Sequence, residues 1–377
     1  MTRRILSLLV CTLLLLSLSA ACRQSPVKAV AAPPAETPAP TPAPTAAPTA
    51  VPTADPTPEP TPDPTKTPDP TPAPTDTPAP AAGPIILLNG GSDLTVDAAF
   101  TFEDPGATAA DPFGADLTER ITVEGKVVPY LVGTYTLTYA VADDAGNTTQ
   151  VQRTVTVRPV QLPEVIDPPP KTIYLTFDDG PAQYTDRLLD TLKRYNVKAT
   201  FFIVGRSPYI DFVKRAYEEG HSIGVHSYTH EFENIYASEE AFFADFLATE
   251  EVIYEQTGHY TTLFRFPGGS ANTVSLFNPG IITRLAKIME DMGYRYFDWN
   301  VSSGDARMSK IESIFEYYST LRDHVRRDGS FTLFLQHDTN VYSTRALDDF
   351  IPWALKNGYT FLPLDMTSPV VHSRISN

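Results

Sequence analysis

The order of apolar and polar residues divides the chain into stretches of different kinds. Residues 5–18 form one apolar run behind Arg3 and Arg4, shorter than the roughly 20 residues a spanning helix needs. Residues 23–84 show no apolar period; Pro, Thr and Ala alternate with scattered acids such as Asp55, Glu59 and Asp63. Such a segment cannot bury enough apolar surface to fold, and a disordered, extended stalk or plain spacer is expected. At ~3.1 Å per residue it would reach on the order of 180 Å. Between 85 and 160 short alternating runs appear, at 85–88, 121–123, 134–139 and 153–157, with turns such as Asp104-Pro105-Gly106 and Asp143-Asp144-Ala145-Gly146-Asn147 between them. This spacing predicts a small all-β sandwich. Residues 161–170, ending in Asp167-Pro168-Pro169-Pro170, predict a short linker.

From 171 to 377 the pattern changes again. Continuous apolar or β-branched runs predict strands at 173–177, 199–204, 222–226, 263–266, 294–299, 331–336 and 359–364. Helical periods lie between them: around Leu188, Leu189 and Leu192, then at 241–253, 281–292, 311–325 and 347–355. Strand–helix alternation predicts an α/β fold with a mostly parallel sheet, open or closed into a barrel. Sites in such folds gather at the C-terminal ends of strands.

Charge and cysteine content narrow the picture. The 377 residues carry a formal net charge of −16, which argues against nucleic acid or an anionic membrane surface as partner. The only cysteines are Cys11 and Cys22, so the folded part has neither a disulfide nor a Cys-based metal site. Ser19, Ala20 and Ala21 precede Cys22. This resembles a bacterial lipoprotein signal over 1–22, in which Cys22 would be lipidated. Ser19 stands where that pattern usually has an aliphatic residue. The other reading is an ordinary cleaved signal with release. Either places the protein outside the cytoplasm, at the membrane by a lipid anchor, in the wall or secreted.

The ends of the predicted strands carry the candidate chemistry. Ile173 to Phe177 run into Asp178, Asp179, Gly180 and Pro181. Paired carboxylates at the end of a buried strand need a metal, an Arg or a reaction; the alternative is an Asp-Gly turn. His226 and His230 follow another strand, and a helical turn there would point both imidazoles at one place. With Asp179 they make three N/O ligands, the number that holds a catalytic zinc with one position open. Arg265-Phe266-Pro267-Gly268-Gly269 puts a fixed cation beside backbone N–H groups that can bind an oxyanion. Asp298-Trp299 and His337 end two further strands, and a carboxylate such as Asp298 beside His337 would keep it protonated as a general acid. In isolation the Arg reads as a salt bridge and the His as a core residue.

Taken in order, Thr176-Phe177-Asp178-Asp179-Gly180-Pro181, His226-Ser227-x-x-His230, Arg265-x-Pro267-Gly268-Gly269, Asp298-Trp299 and Leu333-x-Leu335-x-His337 resemble the five motifs of polysaccharide deacetylases, the NodB homology domain of carbohydrate esterase family 4. The resemblance covers about 171–366. It implies a distorted (β/α) barrel of seven or eight strands. It also implies that Asp179, His226 and His230 hold a divalent metal, usually zinc, with cobalt, nickel and manganese as alternatives. Asp178 would be the general base, oriented by Arg265. His337 would protonate the leaving amine, supported by Asp298. A backbone N–H near Gly268 would stabilise the oxyanion, and Trp299 and Leu335 would line the acetyl pocket. After Asp298-Trp299 the chain departs from the family pattern, because Ser302 and Ala306 stand where many members carry an acid and an Asp-Trp pair. An extra stretch at 270–279 is expected to shape the cleft. Residues 85–160 in turn resemble bacterial surface Ig-like domains, on Asp104-Pro105-Gly106, Gly133-Thr134-Tyr135 and Asp144-Ala145-Gly146-Asn147.

The expectation is therefore a monomeric, metal-dependent hydrolase that removes N-acetyl groups from amino sugars of a glycan. Peptidoglycan is the first candidate substrate, given the signal, stalk and Ig-like module. Chitin-type oligosaccharide and exopolysaccharide are alternatives. An inactive glycan-binding surface protein is the reading from another class.

Overall fold

The computed structural model describes residues 83–306 and 313–377. The expected signal, Cys22 and nearly all of the Pro/Thr-rich stalk lie outside the described residues. Among those described, no helix is long and apolar enough to cross a membrane.

The first folded part holds six strands. β1 (Ile85–Leu88) pairs antiparallel with β3 (Ala107–Ala110). β2 (Asp93–Asp97), β6 (Thr148–Arg158), β5 (Gly133–Ala142) and β4 (Thr122–Glu124) form a second sheet in that order. Leu137, Tyr139 and Val141 on β5, and Val155 and Val157 on β6, face inward at every second position, as one buried sheet face requires. Arg153 occupies an inward position too and is fully buried. It is satisfied there by Asp104, by Tyr139 Oη at 2.8 Å and by the carbonyls of Gly91 and Gly106 at 3.2 and 3.0 Å. The Asp104-Pro105-Gly106 turn is therefore the ligand of a buried cation.

The second part is an eight-stranded sheet whose pairings are all parallel. Its strands are β7 (Thr172–Gly180), β8 (Thr200–Val204), β9 (Ser222–Ser227), β10 (Leu263–Phe264), β11 (Arg295–Tyr296), β12 (Val301–Ser302), β13 (Thr332–His337) and β14 (Thr360–Phe361). The order is β11-β10-β9-β8-β7-β13-β12, with β14 added on β7. β11 and β12 end the path without pairing, so the expected distorted barrel is curled but open. Seven strands answer to expected runs. The eighth, β12, is two residues long and has no apolar run to announce it. β7 and β8 are buried along their length up to Asp178, because helices cover the sheet. These are α1 (Thr185–Arg194), α2 (Phe212–Glu218), α3 (Phe232–Ile235), α4 (Glu239–Thr257), α5 (Ile281–Asp291), α6 (Ile314–His324), α7 (Val341–Arg345) and α8 (Leu347–Lys356). Ser238 caps α4 by accepting the Ala241 N–H at 3.1 Å, and left-handed Gly258 ends it.

The two parts share a seam. Phe100 lies 5.5 Å from Phe243, 6.1 Å from Phe246 and 5.9 Å from Tyr294, ring centre to ring centre, and Tyr130 lies 4.9 Å from Phe243. Val160 N–H donates to Asp291 O at 2.7 Å, Arg295 to Pro163 O at 2.8 Å, and Ile166 N–H to Thr367 O at 2.8 Å. The stretch expected as a short linker, 161–170, bonds to the barrel through Pro163 and Ile166.

Candidate active site

In a regular strand Asp178 and Asp179 would point to opposite faces. The chain avoids this by a register shift on β8 between Phe177 and Gly180 and by a left-handed Asp179, with φ of 68°. A non-glycine residue in that region is strained and marks a position the surroundings enforce. Behind the turn, a Cβ on Gly180 would collide with the Asp338 carboxylate. Asp338 is fully buried and accepts a hydrogen bond from Thr185 Oγ1. Burial pushes it up to about 7.

Asp178 turns inward to Arg265, with Nη1 at 2.7 Å. Arg265 has no exposure and is fixed on every side: Nη1 donates to Thr176 Oγ1 at 2.7 Å, Nε to Phe297 O at 2.7 Å, and Nη2 to Asp298 O at 3.0 Å. Its carbon Cζ stands 4.3 Å over the Phe202 ring and 5.7 Å over Trp299. A planar guanidinium held this way fixes the one carboxylate oxygen it reaches.

Asp179 faces the imidazoles. Its Oδ1 lies 3.3 Å from His226 Nε2 and 3.1 Å from His230 Nε2. His226 is buried and its Nδ1 donates to Arg265 O at 2.9 Å, the carbonyl setting the tautomer, which leaves the Nε2 lone pair toward Asp179. His230 reaches the same place by a different route from the helical turn expected. It is left-handed, with φ of 56°, and its N–H donates to Ser227 Oγ at 2.6 Å. Asp245 on α4 holds the turn by accepting the N–H groups of Tyr228 and Thr229 at 2.6 and 2.9 Å. Asp179, His226 and His230 each offer a donor atom within 4.8 Å of the others. Asp179 Oδ1 is buried with no hydrogen-bond partner. Burial would raise the Asp179 carboxyl, but whenever His226 and His230 are protonated their hydrogen bonds and charge outweigh it and hold it well below the usual carboxylate range. A buried carboxylate oxygen with no hydrogen bond, beside two imidazole nitrogens, fits a divalent cation.

On the other side of Asp179, His337 Nε2 stands 3.8 Å from Oδ2. In the sheet His337 sits directly beside Asp178. Its carboxylate partner is Asp305 and not the expected Asp298. His337 Nδ1 lies 2.8 Å from Asp305 Oδ1, and the His337 N–H donates to Oδ2 at 2.7 Å. Ser303, Ser343 and Tyr317 hydroxyls donate to the same carboxylate at 2.8, 2.5 and 3.3 Å. Burial works against a charge on His337, yet Asp305, with Asp178 and Asp179 beyond it, raises it to about 9. Asp305 responds in kind: burial raises it, and the bond and charge of His337 lower it on balance.

Asp298 fails to reach His337 because β11 ends at Tyr296 and the chain turns toward the Arg265 loop. Its Oδ1 accepts the Ser270 N–H at 2.8 Å, and its Oδ2 accepts Ser270 Oγ and the Ser373 N–H, the latter at 2.7 Å. It is a brace for the Gly268-Gly269 turn. Both glycines are left-handed, and a Cβ on Gly269 would stand 2.8 Å from Trp299 Cη2. Trp299 is half-buried against that turn, and Leu335 is buried on β13 beside Thr176. Asp305, Asp245 and Ser270 were not foreseen. Only Asp305 left a trace: an acid soon after Asp298-Trp299.

A match to the family described as "Polysaccharide deacetylase" covers residues 166–297, and one to "Bacterial surface protein, Ig-like domain" covers 86–157. A putative polysaccharide deacetylase of Bacillus subtilis, YheN, is 32% identical over 205 residues, which is 54% of this chain and 70% of that one. A peptidoglycan-N-acetylglucosamine deacetylase of Bacillus cereus is 32% identical over 195 residues, 51% of this chain and 68% of that one. Among solved structures, the catalytic domain of peptidoglycan N-acetylglucosamine deacetylase from Eubacterium rectale superposes with a TM-score of 0.55 and 43% identity, over 57% of this chain and 98% of that one. With the open parallel barrel and its converging strand ends, these likenesses lead to one conclusion: the chain belongs to the polysaccharide deacetylase family.

Proposed function

We propose that the protein is a metal-dependent N-deacetylase of a bacterial cell-wall glycan, and that its substrate is the N-acetylglucosamine of peptidoglycan. The names of the Bacillus cereus and Eubacterium rectale relatives support that substrate. The observation that carries the reading is the meeting of three groups at one point: the donor atoms of Asp179, His226 and His230, the Arg265-held Asp178, and the Asp305-held His337.

Asp179 Oδ1, His226 Nε2 and His230 Nε2 would hold the cation, which we assign as zinc on the two-nitrogen, one-oxygen donor set. When bound it supplies Lewis acidity to a water molecule and to the amide carbonyl. Asp178 takes a proton from the attacking water, its orientation fixed by Arg265. The C–N bond of the acetamide breaks, and His337 gives its proton to the departing nitrogen, so the products are acetate and the free amine. A positioned acid or base of this kind contributes about 10²–10⁴-fold. Backbone near Gly268 faces the developing oxyanion, and Trp299 and Leu335 wall the acetyl methyl.

We place the protein at the cell surface, tethered through Cys22. Acetate release from muropeptides tests the activity. It should be absent in Asp178→Asn and after chelation, and return on adding zinc. Full activity in the metal-stripped protein would overturn the ligand assignment.

A further inference from the structure

Helix α4 meets the Ig-like part on one side and the candidate metal site on another. Phe100 stands edge-on to Phe243 at 5.5 Å and beside Phe246 at 6.1 Å, and Tyr130 stands edge-on to Phe243 at 4.9 Å. Asp245 lies between these two phenylalanines in sequence but faces away from Phe243, since residues two apart on a helix point to different sides. It accepts the Tyr228 N–H, the Thr229 N–H and the Thr229 hydroxyl at 2.6, 2.9 and 2.7 Å. The aromatic seam and the turn that delivers His230 are therefore separated by the width of one helix.

That turn needs an outside hold. His230 is left-handed, a conformation that a non-glycine residue keeps only where its surroundings enforce it. Arg206 N–H donates to Tyr228 O at 3.2 Å from one side, and α4 takes the N–H groups of residues 228 and 229 from the other. The fit is close: a Cβ on Gly205 would stand 2.7 Å from Tyr228 Cδ2 and 3.3 Å from Thr249 Cα on α4. A shift of α4 therefore reaches the imidazole of His230.

The Ig-like part fixes α4 in turn. Phe100 also meets Tyr294 at 5.9 Å, and Tyr294 meets Phe246 at 5.2 Å, so the Phe100 ring bridges α4 and the residue before β11. Phe246 passes the contact on to Phe264 at 5.7 Å, the residue before Arg265. Edge-to-face rings at such distances hold a geometry as well as burying area, and close-packed interiors transmit strain. We propose that Phe100 and Tyr130 are positioning residues of the metal centre: the Ig-like part holds α4 where Asp245 fixes the 228–230 turn, and so sets how tightly the cation is held. This inference rests on His230 being a zinc ligand, as assigned above. Loss of a group that orients a metal ligand costs about 10–100-fold in affinity, and a brace one helix removed belongs at the low end of that range.

The test uses the full chain and the double variant Phe100→Ala/Tyr130→Ala, with Phe100→Leu/Tyr130→Phe as the version that keeps bulk at the seam. A thermal melt checks the fold. Zinc affinity is read by competition with a chelator. The turn is read by amide hydrogen exchange of the peptide 226–231 in metal-free protein, with β13 as the reference. We expect the double Ala variant to weaken zinc binding about tenfold and to speed exchange of the turn, with β13 unchanged and kcat at saturating zinc within about twofold. The bulk-keeping variant should restore both. Unchanged exchange of the turn overturns the brace. So does faster exchange with unchanged zinc affinity, or exchange that rises equally in β13, which would be a plain loss of stability. If the unvaried chain holds no zinc while exchange of the turn still follows the seam, the brace stands and the ligand assignment falls. Zinc lost on His230→Ala but untouched by the seam variant does the reverse.

Discussion

Strand β9 has a histidine at each end, and the two live in opposite chemical worlds. His221, just before the strand, is buried at the N-terminal end of the sheet, where its Nδ1 accepts the Ala199 N–H at 3.1 Å. Among the described residues no carboxylate bonds to it, and its Nε2 has no hydrogen-bond partner. Burial, helped by nearby Lys198, pushes it down to about 4. It lines a cavity of about 290 Å³ with His259, Tyr260 and Asp365, none of them a residue of the candidate site. His226, near the other end, donates from Nδ1 to a carbonyl and turns Nε2 to Asp179. The same side chain is a neutral wall residue in one place and a metal-ligand candidate in the other. Which nitrogen accepts and which donates decides between them.

The largest effect should separate the two ends outright. His226→Ala should cut acetate release about 10³-fold, as loss of Lewis-acid stabilisation implies, and weaken zinc binding in a chelator competition. His221→Phe should leave turnover within about twofold. Equal losses in the two variants would erase the contrast. Next, Asp305→Asn should lower kcat about 10²-fold and change the alkaline side of the pH profile. His337 raised to about 9 keeps its proton to roughly that pH and loses it above; without Asp305 the fall in rate should begin at lower pH. An unmoved alkaline limb would mean another group supplies the proton.

A smaller effect concerns stability at the opposite end. His221 is depressed to about 4 when folded against an ordinary 6.5. Its contribution is present above 6.5 and lost as pH falls toward 4, worth about 3 kcal/mol in all. His221→Phe should therefore flatten the acid-side loss of Tm across that window. The smallest effect expected is in Asn377→Ala, which removes the hydrogen bonds that Asn377 Nδ2 donates to Ser275 and Asn278: Tm should fall by about 2–4 °C with kcat held.

Much of this was legible in the sequence, for identifiable reasons. Long buried strands such as β7 and β13 announce themselves by unbroken apolar runs, and the residues closing them are brought together by parallel pairing. Asp179, His226 and His230 could be grouped from their places after predicted strands and from the family resemblance. The geometry that unites them could not, because it depends on left-handed backbone at Asp179 and His230. Asp298 was given the wrong partner because its real ones, Ser270 and Ser373, are distant in sequence. Asp305 was passed over because the pairing that brings it to His337, Ser302 beside Leu335, belongs to a two-residue strand with no hydrophobic pattern.

The aromatic seam carries a consequence for handling the molecule. Phe100 and Tyr130 belong to the Ig-like part, while Phe243, Phe246 and Tyr294 belong to the barrel, and all five rings interlock. A protease nick within residues 161–170 would cut the peptide without parting the halves. The fragments would copurify, and they would unfold in a single calorimetric peak.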